Sequence, residues 1–134
     1  MSRFCQVETQ FKNKDALVSA LNEMGYTHVE VHDEAQYLYG YQGDVRDDVA
    51  NIIIRRQYVG GSSNDLGFVK TEDGTYKAVI SEYDRHRHND QWLNKLKCSY
   101  GFHVIQRQAQ ARGRTVTREN LPNGSQRITI GGYR

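Results

Sequence analysis

Leu66-Gly67-Phe68-Val69-Lys70-Thr71-Glu72-Asp73-Gly74-Thr75-Tyr76-Lys77-Ala78-Val79-Ile80-Ser81-Glu82-Tyr83-Asp84 decides the fold. Two β-rich runs flank Asp73-Gly74, and an Asp-Gly pair supplies the positive φ angles of a tight type I′ turn. On the returning run Tyr76, Ala78 and Ile80 share one face, while Lys77 and Val79 point the other way. Leu66 and Phe68 join the apolar face from the outgoing run. The rest of the chain reads as elements that cover this hairpin or extend its sheet.

Upstream, Arg3 to Phe11 alternates, with Cys5, Val7, Thr9 and Phe11 on the better core parity, and predicts a first strand. Asn13 stands at an N-cap position and Asp15 suits the first helical turn. Ala16, Leu17, Ala20, Leu21 and Met24 follow at helical spacing, and Gly25 ends the helix. Thr27 to His32 predicts a short strand, Asp33 to Gln36 a polar turn, and Tyr37 to Tyr41 another strand carrying three tyrosines on one face. Gly43 to Asp48 reads as an acidic loop. Val49 to Val59 contains Ile52-Ile53-Ile54, suited to a central strand covered on both faces and ended by Arg55-Arg56. Gly60 to Asn64 is a flexible loop without any phosphate-loop pattern.

Downstream, Asp84-Arg85-His86-Arg87-His88-Asn89-Asp90 reads as a solvated connector. A helix follows, capped by Asn89 or Asp90, with Trp92, Leu93, Leu96, Tyr100 and Val104 on its apolar stripe. Gly101 weakens it and Gly113 stops it. Arg114 to Glu119 and Gln126 to Ile130 form a last hairpin about Pro122-Asn123-Gly124, and Gly131 to Arg134 is a frayed tail. The pattern is α+β: one domain over residues 1–134, an antiparallel sheet of about five to seven strands, and two main helices packed on one face.

Composition bounds the function. The 134 residues are 37% hydrophobic, so the core is thin, and nine tyrosines help to fill it while keeping their hydroxyls wet. No apolar run approaches the roughly 20 residues needed to cross a bilayer, and no signal peptide precedes the first strand. Cys5 and Cys98 lie far apart without metal spacing and read as buried, reduced thiols of a cytoplasmic protein. The net charge of +2 is uneven: residues 1–67 hold six Lys/Arg against ten Asp/Glu, and residues 68–134 twelve against six.

Few residues carry chemistry. Tyr37, Tyr39 and Tyr41 suggest a stacking platform for a planar ligand, or rings covering the edge of a polar sheet, which the sequence favours. His86 and His88, interleaved with Arg85 and Arg87 and flanked by Asp84 and Asp90, form the one cluster that resembles a metal or acid–base site. The interleaved arginines and the lack of a third histidine favour a connector, and Arg85 and Arg87 equally suit an anionic partner. Neither cysteine has a neighbour that would activate it. The reading is no enzyme, no cofactor and no metal, with Tyr37, Tyr39, Tyr41, Arg85, His86, Arg87 and His88 as the candidate interaction surface. Lys95, Lys97, Arg107, Arg112, Arg114, Arg118 and Arg127 make a nucleic-acid-binding C-terminal half the alternative. A small-ligand or metal-binding protein is the second alternative.

Ser-Arg-Phe at the start, Lys14-Asp15-Ala16-Leu17, Asp65-Leu66-Gly67-Phe68, Glu72-Asp73-Gly74-Thr75-Tyr76, Trp92-Leu93-Asn94-Lys95-Leu96 with Tyr100, and Asn123-Gly124 occur in this order. This combination resembles the hypothetical chloroplast reading frame thirty-five family, also described as domain of unknown function twelve fifty-seven. The resemblance covers nearly the whole chain and implies a small soluble protein of the cytoplasm, or of the plastid stroma if plastid-encoded. It implies no activity. Neighbourhood to an AAA-type ATPase, and to a second very small protein, is implied for its bacterial members and suits an accessory role with a protein partner. His86-Arg87-His88 and the final Gly-Gly-Tyr-Arg look peculiar to this sequence, so no functional residue is carried over.

Overall fold

The computed structural model describes residues 3–133. Its elements in chain order are β1 (Phe4–Phe11), α1 (Lys14–Glu23), β2 (Glu30–Tyr39), β3 (Val45–Ile54), α2 (Arg56–Val59), β4 (Leu66–Lys70), β5 (Tyr76–Ser81), a short 3-10 turn (Asp84–His86), α3 (Asp90–Ala111), β6 (Arg114–Asn120) and β7 (Gln126–Tyr133). The first five strands form one antiparallel sheet in the order β1-β5-β4-β3-β2, and β6 pairs with β7 apart from it. The chain is α+β, as its alternation implies. Among the described residues no helix is long and apolar enough to cross a membrane.

The helical side of the sheet holds the main core. Tyr76, Ala78 and Ile80 of β5 pack with Leu17 and Leu21 of α1 and Leu93 and Leu96 of α3, with Trp92 and Tyr100 against them. The capping residues act as their chemistry requires: the Asn13 side chain accepts from the Ala16 amide at 3.0 Å and Asn89 from the Trp92 amide at 3.1 Å. Tyr100 joins the two helices, because its hydroxyl accepts the amides of Lys12 and Asn13, both at 2.9 Å. Helix α3 runs through Gly101 unbroken, and its buried row is Leu93, Leu96, Ser99, Phe102 and Ala109, which replaces Val104 by Phe102. Gly113, at φ 70°, stops it.

The Asp73-Gly74 turn is not type I′. Only Gly74 has positive φ; the Gly74 amide donates to Thr71 O at 3.0 Å and the Thr71 amide to Thr75 O at 2.8 Å. This is a three-residue loop built on a type I turn with glycine in αL. Asp73 selects it, since its carboxylate accepts from the Thr75 amide at 3.1 Å and the Thr75 hydroxyl at 2.7 Å. The same bonds recur in Gly40 to Asp44 about Gly43 and in Leu121 to Ser125 about Gly124.

The other side of the sheet departs most from expectation. Residues 30–39 are one bent strand, not two strands around a turn, and the stretch read as an acidic loop is strand from Val45. Strand β3 ends at Ile54, and Arg56–Val59 turns helical. The bend lies where pairing shifts between Val31 and Gln36. There the Asn51 side chain stands in for the ladder: it donates to the carbonyls of His32 and Asp33 at 3.3 and 3.1 Å and accepts the Lys70 amide at 2.9 Å. The distal half of the β2–β3 hairpin thereby folds as a flap over the back of the sheet. Leu38 and Ala50, both 0% exposed, come down on Gly67, where a Cβ would lie 2.5 Å from that of Ala50. Phe4, Ile53 and Val79 complete this second core. Ile53 thus faces the flap while Ile52 and Ile54 face the helices, as a doubly covered strand requires.

Three further expectations change. Cys5 is half-buried and Cys98 exposed, both free, because Cys98 falls off the buried row of α3. The connector after β5 is not wholly solvated, since Asp84 and His88 are 2% and 4% exposed. Gly131–Tyr133 belong to β7 and are no frayed tail, while Arg134 lies outside the described residues.

Candidate functional site

Beyond Ile54 the chain turns at Arg55, which is extended (φ −68°, ψ 151°) and stands at the N-cap position of α2 without capping it. Its guanidinium is held from three sides. It donates to Glu30 through Nε at 2.9 Å and Nη2 at 3.1 Å, and through Nη1 to Asp65 at 2.8 Å and to the Tyr37 carbonyl at 3.0 Å. This fork holds the Glu30 carboxyl below the usual carboxylate range, against the desolvation that opposes it and with help from His32. Asp65 is 1% exposed and still satisfied, accepting the Tyr39 and Arg56 amides at 2.7 Å each besides Arg55. A buried carboxylate with several donors holds its surroundings rigidly, because breaking any bond leaves charge uncompensated.

Around this locked elbow lie exposed rings. Tyr37 is 58% exposed, Tyr41 45%, Tyr39 37% and Tyr58 45%. Tyr37 and Tyr39 project from the outer face of the flap, as their i, i+2 spacing demands, while Tyr41 sits in the turn beyond. The Arg55 guanidinium lies 5.1 Å from the Tyr39 ring centroid. Tyr58 stacks on His28 with centroids 4.1 Å apart. Arg56 donates to the Tyr41 carbonyl at 2.9 Å and lines a shallow depression with Tyr39, Gly43, Arg55, Gln57 and Asp65. Of the eight exposed large hydrophobic side chains among the described residues, Tyr37, Tyr39, Tyr41, Val45 and Tyr58 belong to this flap and elbow. Tyr37 and Tyr39 stand on β2, the edge strand of the sheet, while Leu38 between them turns towards Gly67 at the back of the sheet.

The second part of the expected surface is dispersed. Arg85 turns to the His88 carbonyl at 2.8 Å and to Asp90 at 3.2 Å. His86 is hydrogen-bonded to the Tyr83 carbonyl and set edge-on to the Tyr83 ring. Arg87 reaches Ser63 at 2.9 Å and crowds Gly60, clamping the loop before β4. His88 points inward to the Tyr26 hydroxyl at 3.1 Å, with Trp92 edge-on, and burial pushes its pKa down. Asp84 accepts the backbone and side-chain amides of Asn64 at 3.0 and 3.2 Å. The alternate histidines thus face apart, and among the described residues no three His, Cys, Asp or Glu side chains are placed to hold one ion.

Sequence reasoning missed Arg55, Tyr58, Asp65 and His28. The Arg55-Arg56 pair ending an isoleucine run was the available signal. Asp65 gave none, because its partners Tyr39 and Arg55 lie 26 and 10 residues away. Several of the C-terminal cations are engaged within the chain: Arg107 donates to Ser19 at 2.8 Å, Arg127 meets Glu119 at 3.3 Å, and Arg118 forks onto Glu23.

Comparison with known proteins bears on the same chain. A family model described as "Protein of unknown function (DUF1257)" matches residues 20–129. The "Uncharacterized protein ycf35" of Cyanophora paradoxa is 26% identical over 137 residues, covering 100% of this chain and 99% of that protein. No solved structure matches the chain.

Proposed function

We propose that this chain, which belongs to DUF1257, a family of unknown function, is a non-enzymatic accessory module that binds a protein partner through its flap and elbow. The observation that supports this reading is the concentration of exposed Tyr37, Tyr39, Tyr41 and Tyr58 around an arginine–carboxylate network that is already rigid. Interface anchors are enriched in tyrosine and arginine, and Tyr39 and Tyr58, held against Arg55 and His28, lose little entropy on docking. An AAA-type ATPase is the partner class implied by the family resemblance.

The nucleic-acid alternative has less support, because the expected basic half spends Arg107, Arg118 and Arg127 on contacts inside the chain. The metal alternative has less again, since His86 and His88 diverge.

Tagged protein recovered from its source and cross-linked before lysis identifies what it carries. A Tyr37→Ala/Tyr58→Ala variant should lose that protein while keeping its melting temperature, since neither ring is in the core. Truncating an interface anchor costs about 2 kcal/mol or more, enough to weaken binding on the order of thirtyfold. Recovery of nuclease-sensitive material in place of a protein, or equal capture by the variant, would sink the proposal.

A further inference from the structure

The two sheets expose four edges, and three are guarded. The outer backbone of β2 is closed by side chains: Asp65 and Asn64 accept the Tyr39 and Tyr41 amides at 2.7 and 2.9 Å, and Arg55 donates to the Tyr37 carbonyl at 3.0 Å. Strand β1 breaks its pairing between Val7 and Phe11 and carries the charged Glu8 there. Strand β6 carries Arg114, Arg118 and Glu119. Charges, irregularities and covered backbone are the devices by which sheets avoid further pairing.

Strand β7 differs. From Gln126 to Gly132 its one charge is Arg127, and it has no proline. The hairpin bonds fix which of its backbone groups face outward. The Leu121 amide donates to the Ser125 carbonyl at 2.8 Å, so bonded pairs recur at Glu119/Arg127 and Thr117/Thr129. Gln126, Ile128 and Ile130 therefore turn their N–H and C=O groups away from β6. No residue from 114 to 132 is buried, and a two-stranded hairpin that buries so little is marginal in water. Beneath it, Ile128 and Ile130 border an open depression with Ile105 and Ala109 of α3.

We propose that β7 is a self-association edge, paired antiparallel with β7 of a second copy across a two-fold axis at Ile128. The sequence is complementary to itself in that register. Ile128 meets its own copy, Ile130 lies opposite Gln126, and Arg127 lies opposite Thr129, so no like charges oppose one another. The outward groups of Gln126, Ile128 and Ile130 are all satisfied, and a four-stranded sheet covers the α3 depressions of both chains. This surface shares no residue with the elbow, so the two proposals stand or fall separately.

The Arg127–Thr129 juxtaposition supplies the test. Thr129 is exposed, so replacing it leaves the hairpin intact. Thr129→Arg sets two cations opposite each other at both symmetric positions, whereas Thr129→Glu makes an ion pair at both. Sedimentation of the wild type should show a species of twice the 15.5 kDa chain mass. Thr129→Arg should weaken it, and Thr129→Glu should hold or tighten it, the two differing about tenfold in dissociation constant. Hydrogen exchange gives the second readout: the amides of Gln126, Ile128 and Ile130 should be protected in the wild type and exchange freely in Thr129→Arg. A wild type that remains monomeric up to its solubility limit overturns the proposal. So does a dimer indifferent to both substitutions with those three amides unprotected.

Discussion

The hairpins β4–β5 and β6–β7 close with the same three-residue turn, down to the bond from the glycine amide and the αL angle of that glycine, yet their fates differ. Between α1, α3 and the flap, β5 is almost wholly buried, whereas β6 and β7 contain no buried residue through position 132. Turn chemistry decides that a hairpin forms; what lies on its two faces decides what it is worth. The first hairpin is the centre of the fold and the second is a surface appendage tied down at a few points.

The sharpest way to break that contrast is to remove equal apolar bulk from both. Leu96→Ala empties a site that is 0% exposed beneath β5 and should cost about 2 to 5 kcal/mol, a large share of a domain's total. Ile130→Ala, at 51% exposure, should change stability by less than about 0.5 kcal/mol. Denaturant melts of dilute protein compare them, and similar losses would mean that the core has been misplaced.

Gly67→Ala tests the back of the first hairpin. Alanine is a better strand residue than glycine, so propensity alone predicts a gain. The new Cβ would instead sit 2.5 Å from that of Ala50 and 3.2 Å from Leu38 Cδ2, and overpacking should cost about 1 to 3 kcal/mol. Adding Ala50→Gly should recover part of the loss. Independent, additive effects of the two changes would deny that the flap rests on Gly67.

Acid should separate the regions at smaller amplitude. Glu23 ties α1 to Ser99, to His103 and to Arg118 of β6, and chiefly through Arg118 its pKa falls from 4.5 to about 2. A depressed carboxyl pKa stabilises above its unfolded value, so this anchorage weakens as pH drops from 4.5 towards 2. The core responds earlier. Burial keeps His88 neutral below its ordinary 6.5, so the unfolded chain gains the proton first and stability declines as pH falls through that range. Glu23→Gln should abolish the lower step in the exchange rates of β6–β7 amides, and His88→Gln should flatten the upper step in global stability. The opposite assignment would exchange the roles given to the two residues.

Local chemistry was legible wherever it is local. The caps at Asn13 and Asn89, the stops at Gly25 and Gly113, both hairpins and the face of Tyr76, Ala78 and Ile80 follow from periods of 3.6 and 2 and from residues that accept amides or tolerate positive φ. The tyrosines at 37 and 39 were readable as one face. Asp33 to Gln36 was readable as a break, but not as a bend within a continuing strand, because the side chain that bridges it, Asn51, lies some 18 residues on.

By itself the sequence determined an α+β chain, its two main helices and its central hairpin, since each depends on neighbours a few positions apart, and the family it resembles, through short motifs in a fixed order. Only the tertiary structure decided that the flap closes over Gly67, that His86 and His88 face apart, and that Arg55 and Asp65 lock an elbow among four exposed tyrosines. Those outcomes depend on the burial of polar groups, which must find partners wherever the fold brings them, and no periodicity in the chain records which partners those are.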